Sequence, residues 1–349
     1  MYFAENFQLI KIFLLTTLSF LITILWTPVL THFLYKYKLG KQIRDEQTTP
    51  IYYKFHKGKS GTPTMGGVLI WLTTAFLAVL FFYLSKFFNL DIFHKLNFLT
   101  RPQTFLPLGA FVASAIVGLI DDFYNVRRIG PSGGGLRMRH KLIIYTLIAI
   151  VGAWWFYFKL DWTTLHVPFF GNFDIGLWYI PIFIFAIVAT SFSVNEADGL
   201  DGQAGGILLA AFSAYGAIAL GQGKVELATF CGVIIGSLFA FLWFNIPPAR
   251  FIMGDTGAMG LGVCLGVVAM LTNSVLLLPI ICLLLVVESI SVIVQNLSKK
   301  IRKKKIFLST PIHHHLEAIG WPESKIVMRF WIISAVCAVM GVIIFLMDR

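Results

Sequence analysis

Apolar segments long enough to span a bilayer recur along the whole chain. A membrane-spanning helix needs roughly 20 mostly apolar residues. Ten segments of about that size can be drawn, and they cover residues 12–34, 65–88, 105–120, 141–158, 177–194, 203–221, 226–244, 257–274, 276–297 and 327–347. Hydrophobic residues make up 57% of the sequence and charged residues only 13%, which excludes an ordinary soluble protein. The sequence therefore predicts an all-α, polytopic membrane bundle in which residues 1–349 form a single domain.

Basic residues are concentrated in four of the segments between these spans. Residues 35–64, 121–141, 245–256 and 298–329 contain 21 of the 28 lysines and arginines. All four segments face the cytoplasm if the N-terminus lies outside, as the positive-inside rule requires. The predicted topology has ten spans with both termini outside. Because orientation in the membrane accounts for the net charge of +11, no nucleic-acid partner is expected.

The ninth predicted span carries features that set it apart from a regular helix. Pro279 predicts a kink or a break that opens a lipid-accessible groove. Glu288 and Gln295 are polar positions within the same span, and a separation of seven residues puts them on nearly the same helix face.

Acidic residues gather at one membrane boundary of the predicted topology. Asp121 and Asp122 end the third span, Asp198 and Asp201 lie between the fifth and sixth spans, and Asp255 comes just before the eighth span. A carboxylate costs about 2.5 to 3.5 kcal/mol at the centre of a spanning helix, so its placement is informative. A solvated helix end or an N-cap explains any one of them more simply. Five on one cytoplasmic face indicate a functional site.

The residue types at this boundary suit a divalent cation and a phosphate substrate. Carboxylate oxygens are the ligands of Mg²⁺ and Mn²⁺, and Mg²⁺ is usually held by one or two carboxylates together with substrate phosphates. A diphosphate substrate is therefore expected. Among the basic residues on the same face, Lys59 and Lys141 are singled out as phosphate-binding candidates. Membrane orientation explains most of the other basic residues equally well.

Three adjacent histidines, His313, His314 and His315, follow Pro311 in the last basic segment. Successive residues of a helix point about 100° apart, so the three side chains cannot all face one metal ion. The sequence therefore predicts hydrogen bonding to a phosphate or nucleotide here rather than a zinc site.

Taken together, these motifs resemble those of the phospho-N-acetylmuramoyl-pentapeptide transferases, in the polyprenyl-phosphate N-acetylhexosamine-1-phosphate transferase superfamily. The motifs are Asp121-Asp122, Asn195…Asp198-Gly199-Leu200-Asp201-Gly202, Asn245…Met253-Gly254-Asp255, Gly61-Thr62-Pro63-Thr64-Met65-Gly66-Gly67 and Pro311-Ile312-His313-His314-His315-Leu316-Glu317. The resemblance extends over almost the whole chain. The last two motifs separate this family from its relatives that act on N-acetylglucosamine.

The resemblance implies an activity, partners and a location. The implied reaction transfers phospho-N-acetylmuramoyl-pentapeptide from its UDP carrier to undecaprenyl phosphate, giving lipid I and UMP, with Mg²⁺ as cofactor. The implied location is the bacterial inner membrane, with the active site on the cytoplasmic face. Transfer of N-acetylglucosamine phosphate is the alternative within the enzyme class, and a transporter is a remote one. The oligomeric state stays open, a homodimer included.

The resemblance also implies roles for individual residues. Asp255 would contact Mg²⁺, and Asp121 or Asp122 would deprotonate or position the lipid phosphate. The residues implied to bind substrate are Lys59, Thr64, Lys141, Asn195, Asp198, Gly199, Asp201, Asn245, Gln295, His313, His314 and His315. Direct attack by the lipid phosphate and a two-step route through an aspartyl-phosphate both remain open.

Some positions depart from the family pattern. Asn125 stands where a lysine usually follows the aspartate pair, which would pass that cation's role to Arg127 or Arg128. Ile252 replaces a common phenylalanine, and Gln203 replaces the more usual leucine.

Overall fold

The computed structural model describes residues 2–40, 53, 55–88, 90–101, 103–130 and 134–348, with side chains described from residue 6 onward. Part of the first predicted basic segment, residues 41–52 and 54, lies outside the described residues. Residues 131–133 of the second segment do so as well.

Helices dominate the described chain, as the apolar segments predict. The elements of the first half are α1 (Tyr2–Lys36), a short 3₁₀ turn (Lys57–Lys59), α2 (Val68–Phe87), α3 (Asp91–Leu96), α4 (Phe105–Val126) and α5 (Met138–Lys159). They are followed by β1 (Thr164–Val167), β2 (Gly171–Asp174), α6 (Tyr179–Ala197), α7 (Gln203–Gly221), α8 (Val225–Asn245) and α9 (Gly254–Leu271). The last elements are α10 (Leu278–Ile281), α11 (Leu283–Ile301), α12 (Ile312–Ala318) and α13 (Glu323–Met347).

The all-α, multi-pass prediction is confirmed. Within the described residues, nine helices are long and apolar enough to cross a membrane, and a bent pair that includes α10 and α11 brings the number to ten if it counts as one span. The only sheet in this part of the chain is the two-stranded antiparallel hairpin of β1 and β2.

Helix α9 lies at the centre of the bundle. Of the 18 residues in this membrane-spanning helix, 94% are buried, and the helix packs mainly against α4 and α6. Asp255 stands in the first turn of this helix. The packing therefore brings Asp255 next to the two aspartates of α4 and the end of α6.

The third span is longer than the sequence predicts. Helix α4 continues to Val126, so Asp121 and Asp122 lie inside the helix rather than at its end. The helix can continue through two buried carboxylates because both accept hydrogen bonds from neighbouring segments, at the backbone N–H groups of Leu136 and Thr256. These partners supply the hydrogen bonds that water would otherwise provide.

The ninth span is broken. The segments Val275–Ile281 and Leu283–Ile301 meet at an angle of 83°, with the break at Cys282. Pro279 lies in the first turn of α10, where a proline is tolerated, so the break falls after it. Beyond the break, α11 exposes an apolar stripe that includes Ile290 and Leu297, whereas the face that carries Glu288 is buried. Helix α11 thus turns its apolar side outward and its polar side into the protein.

The β-hairpin is attached to the C-terminal end of α13. The imidazole of His166 pairs with Asp348 through Nε2 and with Asn172 through Nδ1, and its backbone N–H donates to Asn273. Partial burial lowers the pKa of His166, but the hydrogen bonds with Asp348 and Asn172 outweigh it and raise the pKa. The hydrogen bond with His166 lowers the pKa of Asp348. These contacts join the helix ends opposite to those that carry the acidic residues.

Candidate active site

Two of the predicted carboxylates share one ammonium group. Lys141, from the first turn of α5, places Nζ 2.9 Å from Asp121 Oδ2 and 2.6 Å from Asp255 Oδ1. The Asn195 amide at the end of α6 also donates to Asp255 Oδ1, at 2.5 Å. Side-chain exposure is 2% for Asp121, 11% for Lys141 and 19% for Asp255. Asp121, Lys141 and Asp255, from three helices, therefore form a nearly buried cluster in which two acids share one positive charge.

Asp122 holds the beginning of α9. Its Oδ1 accepts the backbone N–H of Asp255 at 3.1 Å, and its Oδ2 accepts the N–H of Thr256 at 3.0 Å. The Thr64 hydroxyl donates to the same carboxylate at 3.2 Å. A carboxylate is favourable there because the first N–H groups of a helix lack partners within the helix. Asp122 thus fixes the backbone that carries Asp255.

Gly254 permits this close approach. It has a positive φ of 76°, and a Cβ at this position would run into the Asp122 carboxylate and the Thr64 hydroxyl. Only glycine adopts this backbone conformation readily and leaves room for both groups.

A second acidic cluster surrounds Lys59. Its Nζ lies 2.8 Å from Asp201 Oδ1 and 2.5 Å from Glu323 Oε1. Glu323 also accepts the backbone N–H of Asp201 at 2.8 Å, and Asp201 accepts the N–H of Ala249 at 3.0 Å. Sequence reasoning missed Glu323, since a glutamate in the first turn of a helix is an ordinary feature. Its distance of 122 residues from Asp201 along the chain gave no signal.

A buried polar network lies beneath the loop that follows α6. His313 Nδ1 is 2.9 Å from Glu288 Oε2, and Gln203 donates to Glu288 Oε1 at 2.8 Å. Burial lowers the pKa of His313, but the charge of Glu288 and the hydrogen bond to it outweigh burial and raise the pKa. The other ring nitrogen of His313 faces Gly199, where a Cβ would clash with the imidazole. Gly199 therefore lets the loop pack directly against the buried imidazole of His313.

The other two adjacent histidines face different surroundings. His314 Nδ1 lies 2.7 Å from Glu317 Oε2, and His56 Nε2 lies 3.1 Å from the same oxygen. Burial lowers the pKa of His314 to about 3. Burial alone would raise the pKa of Glu317, but the hydrogen bonds from His314 and His56 lower it to about 2. His315 accepts the backbone N–H of Leu308 at 3.3 Å. The rings of His313 and His314 lie 4.1 Å apart, but the three imidazoles have different hydrogen-bond partners, as expected for successive residues of a helix.

Two further predicted residues hold loops in place. Asn245 accepts the N–H of Gly202 at 2.9 Å and donates to the carbonyl of Phe251 at 2.8 Å. Gln295 bonds the backbone of Phe307 through both ends of its amide, at 3.1 Å and 2.9 Å. Asp198 lies half-buried in the loop between α6 and α7.

Comparison with known proteins adds to this geometry. Residues 104–273 match the model of glycosyl transferase family 4, and residues 59–70 match signature 1 of the phospho-N-acetylmuramoyl-pentapeptide-transferases. A phospho-N-acetylmuramoyl-pentapeptide-transferase of a Geobacillus strain is 38% identical over 332 residues, which cover 94% of this chain and 95% of the relative. Relatives of the same name in Chloroflexus aggregans and Clostridium novyi are each 36% identical, over 94% and 93% of this chain and 88% and 93% of their own lengths.

The chain belongs to the phospho-N-acetylmuramoyl-pentapeptide-transferase family. The structure shows what the residues at and near the positions that depart from the family pattern contact. Lys141, rather than a residue just after the aspartate pair, places a cation 2.9 Å from Asp121. The Arg127 guanidinium lies over the ring of Phe123 instead. Gln203, which stands where the family more often has leucine, donates a hydrogen bond to the buried Glu288.

Proposed function

We propose that this chain transfers phospho-N-acetylmuramoyl-pentapeptide from its UDP carrier to undecaprenyl phosphate, forming lipid I and UMP. The observation that carries the proposal is the cluster of Asp121, Asp255 and Lys141, which is nearly buried at one end of a membrane bundle. Buried charges of this kind are costly and mark functional sites in membrane proteins. Membership of the transferase family supports the identity of both substrates.

The residues present fit a bound Mg²⁺. Asp255 and Asp121 supply hard carboxylate oxygens that already converge on one cation, the Lys141 ammonium. Mg²⁺ is commonly held by one or two carboxylates and by substrate phosphates, so a complete protein cage is not required. Asp255, with Asp121 beside it, would hold the ion. Bound there, Mg²⁺ would neutralise charge on the transferring diphosphate.

The reaction exchanges one phosphoanhydride for another, so the protein has to position its substrates and neutralise charge. We propose direct transfer. An oxygen of undecaprenyl phosphate bonds to the sugar-linked phosphorus, the bond from that phosphorus to the bridging oxygen breaks, and UMP leaves. Asp122 is committed to two backbone N–H groups, which favours a positioning role over a nucleophilic one. Asp121 lies beside Lys141 and is the better candidate to orient the lipid phosphate or accept its proton.

The Lys59 cluster and the His313 network offer groups for the nucleotide and sugar. Lys59 presents an ammonium at 24% side-chain exposure, so a phosphate could share it with Asp201. His313, held by Glu288, adds an imidazole beneath the loop that carries Asp198. These contacts support substrate-binding roles for the motif residues.

The acceptor lipid would approach along α11. Its exposed apolar stripe suits the bilayer interior, and its buried polar face carries Glu288 and Gln295 toward the site. The basic segments at this end of the helices favour a cytoplasmic orientation of the site. We propose that residues 1–349 act as one catalytic domain in the bacterial inner membrane.

The purified chain should be assayed with radiolabelled UDP-N-acetylmuramoyl-pentapeptide and undecaprenyl phosphate. Labelled lipid I should form in Mg²⁺, EDTA should abolish it, and UDP-N-acetylglucosamine should give no lipid product. Lipid product from UDP-N-acetylglucosamine alone would overturn the substrate assignment. Labelled protein after incubation without the lipid acceptor would replace direct transfer with an aspartyl-phosphate route.

A further inference from the structure

Three buried side chains outside the acidic clusters bring metal-ligand atoms together. Among the described residues, His56, His314 and Glu317 form the only group of three or more His, Cys, Asp or Glu ligands whose atoms all lie within 4.8 Å of one another. The three residues are 2%, 7% and 4% exposed. They come from two distant parts of the chain, since His56 precedes the Lys59 turn and the other two belong to α12. The contact is therefore a tertiary one.

The three ligand atoms converge closely enough for one metal ion to replace the protons between them. Glu317 Oε2 lies 2.7 Å from His314 Nδ1 and 3.1 Å from His56 Nε2. Ligand atoms of a tetrahedral site with bonds of about 2.1 Å lie roughly 3.4 Å apart. Glu317 Oε2 would therefore move away from His314 Nδ1 by about 0.7 Å, and from His56 Nε2 by about 0.3 Å, as an ion replaces the protons between them. His314 and Glu317 are three residues apart, so one face of α12 supplies two ligands.

The donor set selects the class of ion. Two imidazole nitrogens and one carboxylate oxygen suit zinc and its neighbours in the first transition row, whereas Mg²⁺ prefers oxygen ligands alone. This group shares no residue with the Asp121, Asp255 and Lys141 cluster proposed to hold Mg²⁺. We propose that His56, His314 and Glu317 bind a divalent transition-metal ion of the zinc type, with water or a further donor completing its coordination.

An ion at this site would join two parts of the substrate pocket. His56 stands three residues before Lys59, which reaches Asp201 and Glu323. His314 follows His313, which contacts Glu288 beneath the Gly199 loop. The ion would therefore fix the Lys59 segment against α12 and set the distance between two groups proposed to bind substrate. It acts as a structural clamp and takes no part in the transfer itself.

Metal content and a spectroscopic probe test the site directly. The full chain is purified in detergent from cells grown with added Zn²⁺, without chelators or a histidine tag, and its zinc is measured by mass spectrometry. About one zinc per chain is expected for one site. Titration of metal-free protein with Co²⁺ should give the visible absorption bands of a four-coordinate ion with nitrogen and oxygen ligands.

Variants locate the ion. Loss of a group that only hydrogen-bonds to a metal ligand lowers metal affinity by about 10- to 100-fold. His56→Gln and Glu317→Gln each remove a ligand itself, so each should weaken zinc binding by more than this. His94→Gln, at an exposed histidine in α3, and Asp255→Asn should keep the zinc. Misfolding of a variant would be seen as aggregation on gel filtration. If one ligand variant misfolds, the other variant and the unmodified chain still test the proposal. A zinc-free wild-type chain without cobalt bands would overturn the proposal and leave a purely hydrogen-bonded triad. Bands that persist in both ligand variants would overturn it as well.

Discussion

Replacing Lys141 with methionine tests whether the ammonium holds the acidic cluster together. Methionine keeps most of the side-chain volume but leaves Asp121 and Asp255 facing each other without a cation. Each ion pair, at 2.9 Å and 2.6 Å, contributes roughly 6 kcal/mol of attraction at an effective dielectric constant near 20, before desolvation is subtracted. Removal of one partner from a buried pair costs about 3 to 5 kcal/mol in practice. Because Asp255 keeps 19% side-chain exposure, we expect the lower end, about 3 kcal/mol.

The assay is equilibrium unfolding of the purified protein in mixed detergent and SDS micelles. Lys159→Met is the matched control, since Lys159 lies at the other end of the same helix, is exposed and places its ammonium over the ring of Trp154. It should change the free energy of unfolding by less than about 1 kcal/mol. In a double-mutant cycle, Asp121→Asn should recover about 1 kcal/mol or more of the Lys141→Met loss. Equal stabilities of the two lysine variants would refute the cluster as a charge-paired unit.

Three further predictions concern other contacts. Gly199→Ala should lower both transferase activity and the midpoint of thermal unfolding, because its Cβ meets a buried imidazole, whereas Gly109→Ala in open space should stabilise α4 by up to about 1 kcal/mol. The pair of His166 and Asp348 should stabilise the protein most between about pH 4 and 6.5, which are the pKa values of aspartate and histidine in an unfolded chain. That stability should be lost as pH rises through the raised pKa of His166 or falls through the lowered pKa of Asp348, and thermal unfolding at several pH values should show a flatter profile for His166→Gln. Glu323→Gln should raise KM for the UDP substrate more than it lowers kcat, because the glutamate contacts Lys59 and Asp201, which we propose to bind that substrate. Steady-state kinetics measures this split.

Much of the fold follows from the sequence because the bilayer imposes a length on each helix. The span predicted at 203–221 coincides with α7, and most others differ by a few residues. The third span was predicted to end at residue 120, since two aspartates in a row look like the end of a spanning helix. Helix α4 continues to Val126 because hydrogen-bond partners for those aspartates come from other segments, which local sequence does not reveal.

The candidate site, like the fold, was predictable from the sequence only in part. Clustering of Asp121, Asp122 and Asp255 was predictable, because alternating spans bring every second connection to one side of the membrane. The pairings within the cluster depend on side-chain geometry. The sequence singles out Lys141 as a phosphate-binding candidate, but it does not predict that the ammonium contacts both Asp121 and Asp255. Glu323 was missed altogether, because its partners lie far away in the chain.

The most direct test of the account is lipid I formation by a set of aspartate-to-asparagine variants. Asp255→Asn and Asp121→Asn should lower kcat by at least about 100-fold in Mg²⁺ while the variants stay folded, because each loses a charge beside the transferring phosphate. Asp91→Asn, at an exposed i,i+4 ion pair away from the site, should retain full activity. Near-normal activity of both site variants would contradict the claim that this buried cluster carries the transfer.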